Sequence, residues 1–320
     1  MKGWSDLAHH FQTASKPQEP LPAVAMRSVM SRFKANSLLM LAAVIWGLGN
    51  VAHKTVLAHL DPMTVVFLTS GIAGLVTLPF AVRERTPAAK TGWFASVARV
   101  VLLFALGSVV QQLSYVSTTV TNSSLLISAS TVITPVAAWL IMKERPSALI
   151  LFVAVLTVVG SALLAGGFNG SATAGDAFAI LTATCFAVWT VELGRHVQAH
   201  GRPVATATAQ FVGTAAATLP FALQGRVTVP AIVAAWPELL MLGVFSTAVG
   251  FCLQSSAQRY TTSSHAAVIC SGEGVFAAIS AAALLGERLS PDGFLGAGLI
   301  LCCVLFVAVS AGPKLTAAVP

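Results

Sequence analysis

The stretch Met142–Ser147 reads MKERPS, and Leu285–Ser290, 143 residues further on, reads LGERLS. The same displacement, without gaps, brings Trp46 in AAVIWGLG onto Trp189 in CFAVWTVE. It also brings Gly107 onto Gly250, Gln111 onto Gln254, and Thr118-Thr119 onto Thr261-Thr262. Each match is weak alone. One offset that collects them all reads as a duplication, the kind of internal symmetry on which transporters are built.

The solvent of the duplicated unit follows from composition. Of 320 residues, 56% are hydrophobic and 9% are charged, against about 25% charged in a soluble domain. Apolar stretches of roughly 18–22 residues recur along the chain, each long enough to cross about 30 Å of hydrocarbon. The alternation of barrel strands is absent, so helices satisfy the backbone. The expected fold is an all-α integral membrane protein of ten transmembrane helices, near 37–58, 62–82, 97–117, 120–142, 147–166, 176–199, 204–224, 237–259, 264–285 and 292–311. An N-terminal arm (1–36), a first repeat (37–166), a second repeat (176–311) and a C-terminal tail (312–320) follow. Five spans per unit is an odd number, so the second copy enters the membrane inverted.

Orientation comes from lysine and arginine. With the N-terminus inside, the inner segments hold fifteen of the eighteen basic residues, leaving Lys54, Arg226 and Arg288 outside. Both termini are then cytoplasmic. The net charge of +7 reports topology and the anionic face of the lipid bilayer, with no nucleic acid needed to explain it. The polar, proline-bearing start lacks the apolar centre of a signal peptide. Cys185, Cys252, Cys270, Cys302 and Cys303 lie in apolar runs without metal-ligand or disulfide spacing, and read as small hydrophobes.

These features resemble the drug/metabolite transporter superfamily, in its ten-helix members with two EamA-type domains. WGLGNVAHK in the first helix carries the resemblance, with KER (Lys143–Arg145), GER (Gly286–Arg288) and EGVFAAISAAALLGER in the ninth. The family commonly has proline after the glutamate of that helix, where this chain has Gly274. A kink is lost there, and Pro135 in the fourth helix is a substitute. Within the superfamily the chain is compared with YddG-type exporters of aromatic amino acids. The resemblance implies export from a bacterial inner membrane.

Glu273 stands between Gly272 and Gly274 about nine residues into its span. A charge at that depth costs at least about 3 kcal/mol. It either lines a polar cavity, binding a substrate ammonium or a proton, or is a neutral acid bonded between helices. Gly272 and Gly274 would let a neighbouring backbone or a substrate come close. Trp46 and Trp189 lie away from the interfaces, as cavity walls or as core. Gln111, Gln254 and Asn50 offer amide groups to a zwitterion or to neighbouring helices. Thr134-Pro135 would free a backbone carbonyl near the cavity. Glu144-Arg145 and Glu287-Arg288, at matching helix ends on opposite faces, are latches between rocking halves or interfacial anchors. Glu192 pairs locally with Arg195 and His196, and Lys54 snorkels to the interface.

No nucleotide loop, HExxH or nucleophile elbow occurs, so neither a catalytic set nor a cofactor or metal site is expected. A membrane enzyme or receptor is the contrasting class. The expected function is export of small amphipathic metabolites, amino acids and aromatic ones first, by alternating access. A proton-coupled drug or cation exporter using Glu273 is the alternative.

Overall fold

The computed structural model describes residues 30–84, 91–143, 145–166, 173–225, 227–285 and 288–310, and all regular structure among them is helical. The first half holds α1 (Arg32–Thr55), α2 (Pro62–Arg83), α3 (Trp93–Ser117), α4 (Val120–Ser128), α5 (Ser130–Met142) and α6 (Ala148–Leu164). The second holds α7 (Ala174–His200), α8 (Pro203–Ala222), α9 (Trp236–Gln258), α10 (Ser263–Cys270), α11 (Glu273–Leu285) and α12 (Pro291–Val309). A short helix, Val229–Ala234, leads into α9.

Eight helical stretches among the described residues are long and apolar enough to cross a membrane, with α4–α5 and α10–α11 each counting as one. Two expected spans fall short. α6 is apolar but has only 17 residues. α8 has the length, but four threonines and Gln210 lower its hydropathy. Those polar residues are all buried, and Thr206, Thr208 and Thr218 return their hydroxyl protons to carbonyls one turn back.

The repeat is written into the helix ends. Thr119 and Thr262 each accept the backbone N–H three residues on, at 3.1 and 3.3 Å, and Ser147 and Ser290 do so at 3.2 and 3.1 Å. Both pairs stand 143 residues apart, and each cap stabilises its helix by about 1 kcal/mol. The fourth and ninth expected helices are both interrupted, at Ala129 and at Ser271–Gly272. Pro135 is therefore not the common cause, since α11 carries Ala278 at the matching place and still breaks.

The halves pack through equivalent helices. In α2 and α8, Thr77 meets Thr208 at 2.8 Å and the Glu84 carboxylate accepts Ala205 N–H at 2.9 Å. Numbers rise on one helix as they fall on the other, so the two are antiparallel. In α6 and α12, Gly160 lies on Ile300 and Gly293 lies near Leu164, again antiparallel. Other cross-contacts exchange in pairs, α3 with α7 and α1 with α9, and α1 with α11 and α5 with α7.

Three expectations on boundaries change. α1 begins at Arg32 rather than 37, and α3 at Trp93 rather than 97, because an opening helical turn can be polar or interfacial. The expected single helices 120–142 and 264–285 are each two segments. The tail 312–320 and the arm before residue 30 lie outside the described residues. Leu75, Phe152, Phe294 and Leu305 are exposed on the outer faces, as lipid contact requires.

Candidate functional site

α1 and α11 approach more closely than side chains would allow. A Cβ on Gly47 would lie 2.7 Å from the Glu273 carbonyl and 2.8 Å from the Ala277 nitrogen, so only glycine fits. Ser280 Oγ donates to the Gly47 carbonyl at 3.1 Å across the same contact. The packing fixes the first turn of α11, and Glu273 is its first residue. An acid there meets the positive end of the helix dipole. That is the local reason a carboxylate is tolerated between two glycines.

Glu273 borders a cavity of about 400 Å³ between the halves, within the usual range of small-molecule sites. Among the described residues its carboxylate has no ion pair or hydrogen bond. One wall is aromatic. Trp46 and Phe251 have ring centroids 4.9 Å apart, Phe104 and Phe251 4.8 Å, and Phe104 and Trp189 5.5 Å, and all four rings border the space. Trp46 Nε1 donates to the Ser246 carbonyl at 2.9 Å. This contact falls where α9 is wound as a π-helix, Met241–Gly250, a winding often found at functional sites. Trp189 Nε1 donates to Gln210 Oε1 at 3.1 Å, which holds that ring nearly buried.

Asn50, Gln111, Gln254, Thr134 and Gly274 also line the cavity, alongside Glu273, Trp46 and Trp189. Asn50 Oδ1 accepts the Tyr115 hydroxyl at 3.3 Å. The Thr134 hydroxyl donates to the Ser130 carbonyl at 2.7 Å. Pro135 and Gly272 are buried and do not border the cavity. The glycines flanking Glu273 are not the close contacts expected of them. A Cβ on Gly274 would meet only Leu164, at 4.0 Å, and Gly272 occupies the helix break. The close approach uses Gly47.

The charged helix ends separate. Glu144 and Glu287 lie outside the described residues. Arg145 is exposed, and Arg288 is exposed while also bordering the cavity. The cavity reaches the end of the bundle marked by Ala165, Gly166 and Arg288–Ser290. Further polar contacts lie toward the opposite end. Glu192 pairs with Arg195 at 2.7 Å, as its spacing requires, and with Arg99 of α3 at 3.1 Å. His196, expected in that network and at the interface, is instead buried and bonded to Ser96 Oγ at 3.0 Å. Gln198 and Gln258 cross-link α7 to α9 and the turn after it. Lys54 has partners at the end of α3. Its ammonium takes the carbonyls of Tyr115 and Thr118 at 2.5 and 3.2 Å, capping α3.

Sequence reasoning missed Tyr115, the His53–Gln112 pair (2.9 Å) and Arg99. Tyr115 is one of two tyrosines in the chain. That scarcity in an apolar span was the available signal. Arg99 gave none, because its partner stands on another helix.

Comparison with known proteins fits this geometry. Residues 33–166 and 173–309 each match the EamA-like transporter family.

The chain belongs to the EamA-like transporter family and carries two EamA-type domains. It is a multi-pass membrane protein. A transporter of Archaeoglobus fulgidus, itself named as uncharacterized, is 30% identical over 88% of this chain and 87% of its own length. Another of that description, from Clostridium kluyveri, is 22% identical over 82% of this chain and 89% of its own. A crystal structure 17% identical superimposes with a TM-score of 0.73, covering 87% of this chain and 97% of that one, and shows the shared fold. This EamA-type chain thus has its cavity where the two family domains face each other.

Proposed function

We propose that this protein is a secondary transporter that exports small amphipathic metabolites, amino acids and especially aromatic ones, by alternating access. The observation that carries the reading is the cavity between the domains, bordered by both an unpaired carboxylate and an aromatic wall. Apolar and aromatic area supplies affinity for a ring, and amides at Asn50, Gln111 and Gln254 suit the polar end of a neutral or zwitterionic solute. Phosphorylated substrates would need several cations, and among the described residues the only lysine or arginine bordering the space is Arg288.

Ten spans with both termini inside is the topology we adopt, in a bacterial inner membrane. The antiparallel pairs α2–α8 and α6–α12 support inversion, because equivalent helices that run opposite ways are related by an axis lying in the membrane plane. In that orientation the cavity of this conformation faces outward, and the Glu192–Arg99–Arg195 cluster lies at the closed inner end. A proton on Glu273 gives a second reading, proton-coupled export of drugs or cations, favoured by the lack of a cationic partner.

The test is uptake of labelled phenylalanine and tryptophan into proteoliposomes, with internal pH followed in parallel. Saturable uptake that falls at least tenfold in Glu273→Gln, at unchanged expression, is expected. Wild-type rates in that variant remove Glu273 from the mechanism. No flux of any neutral amino acid overturns the substrate class. Flux that neither needs nor moves protons leaves facilitated diffusion.

A further inference from the structure

Several hydroxyls that border the cavity turn their protons back onto their own helices. Thr69 donates to the Val65 carbonyl at 2.8 Å, Thr134 to Ser130 at 2.7 Å and Ser271 to Val268 at 2.5 Å. Each then offers only lone pairs to a ligand. Asn50 Oδ1 is already engaged by Tyr115, whereas both carboxylate oxygens of Glu273 remain open for a donor.

Among the described residues, no cation competes for that carboxylate. His53 is tied to Gln112, and the Lys54 ammonium to two carbonyls. Arg288 follows the far end of α11, a helix whose rise from Glu273 to Leu285 is about 18 Å. An amino acid carries its two charges on one carbon, so Glu273 and Arg288 cannot hold both at once. The nearby rings of Trp46 and Phe251 present faces that attract cations.

We infer that the cavity reads the substrate's ammonium through Glu273 and the aromatic wall, and that a substrate carboxylate is dispensable for binding. This rests on the transporter reading of the cavity and extends its substrates to aryl-alkyl amines. Amides remain for a carboxylate when one is present, but they are neutral and weaker partners.

The experiment measures direct binding of four compounds to the purified full-length protein in lipid nanodiscs: phenylalanine, phenethylamine, N-acetylphenylalanine and 3-phenylpropionate, with butylamine as a ringless control. Phenylalanine and phenethylamine should bind within about threefold of each other, and the two compounds lacking an ammonium at least tenfold more weakly. Glu273→Gln should weaken phenethylamine at least tenfold and leave 3-phenylpropionate unchanged. If that variant fails to fold, the wild-type series decides alone. Equal binding of 3-phenylpropionate and phenethylamine overturns the inference, even where phenylalanine is transported. Binding of the amines with none of phenylalanine overturns the amino acid reading and keeps the ammonium station. Silence from every ammonium compound, butylamine included, overturns both.

Discussion

Gly47→Ala adds one methyl group where α1 meets α11. The new carbon would sit 2.7 Å from the Glu273 carbonyl oxygen and 2.8 Å from the Ala277 nitrogen, whereas ordinary contact begins near 3.4 Å. These are backbone atoms, and the Phe276 Cβ beside them is equally fixed to the backbone, so no rotamer change relieves the contact. The Cβ of Phe276 lies closer still, so the helices must part by about 1 Å. Overpacking of this kind costs about 1–3 kcal/mol, a fall in melting temperature on the order of 5 °C. Because the displaced element carries Glu273 into the cavity, uptake should fall more than stability does, by about tenfold or more. Gly71→Ala and Gly298→Ala are the controls, since a Cβ at either position meets nothing within 4 Å. Those should melt at or above the wild-type temperature, helped by the helix propensity of alanine. Melting is read by a fluorescent-tag assay in detergent, and uptake in proteoliposomes. A Gly47→Ala protein with unchanged melting and unchanged uptake refutes the reasoning.

Glu192→Gln removes the charge shared by Arg99 and Arg195 and should cost about 1–2 kcal/mol, because both arginines are partly exposed. It should also raise labelling of a cysteine introduced at Thr190 by a reagent supplied from the inner face, and an unchanged rate argues against a closing role for the cluster. Thr119→Ala and Thr262→Ala should each lower stability by about 1 kcal/mol. Equal losses are expected, since the caps are equivalent, and denaturation in mixed detergent checks it. Gly160→Leu forces a side chain against Ile300 and the Gly296 carbonyl, 2.8 and 3.0 Å from the first added carbon. It should lower the yield of folded protein several-fold by size-exclusion chromatography, and a normal profile contradicts the α6–α12 packing.

How far the site was legible varies residue by residue. Glu273 announced itself because a carboxylate in an apolar run has few reasons to be there. Trp46 with Trp189, and Gln111 with Gln254, were marked by the repeat, and all line the cavity. The role of Gly47 was invisible. Glycine has several uses in a helix, and only the distance to α11 separates close approach from the rest. Gly272 and Gly274 drew attention by adjacency to Glu273, yet neither makes the contact. Arg99 and Tyr115 acquire meaning only from partners on other helices.

The amino-acid order alone determined the solvent, the helical class, the duplication and its register, because hydropathy and repeat spacing are properties of the chain read along its length. The paired caps at Thr119 and Thr262, and at Ser147 and Ser290, follow from that register too. The tertiary structure decided which faces meet: the antiparallel seating of α2 on α8, the backbone contact at Gly47, the charge cluster around Glu192 and the reach of the cavity to one end. Those depend on distances between residues far apart in sequence, and packing sets such distances only once the helices have come together.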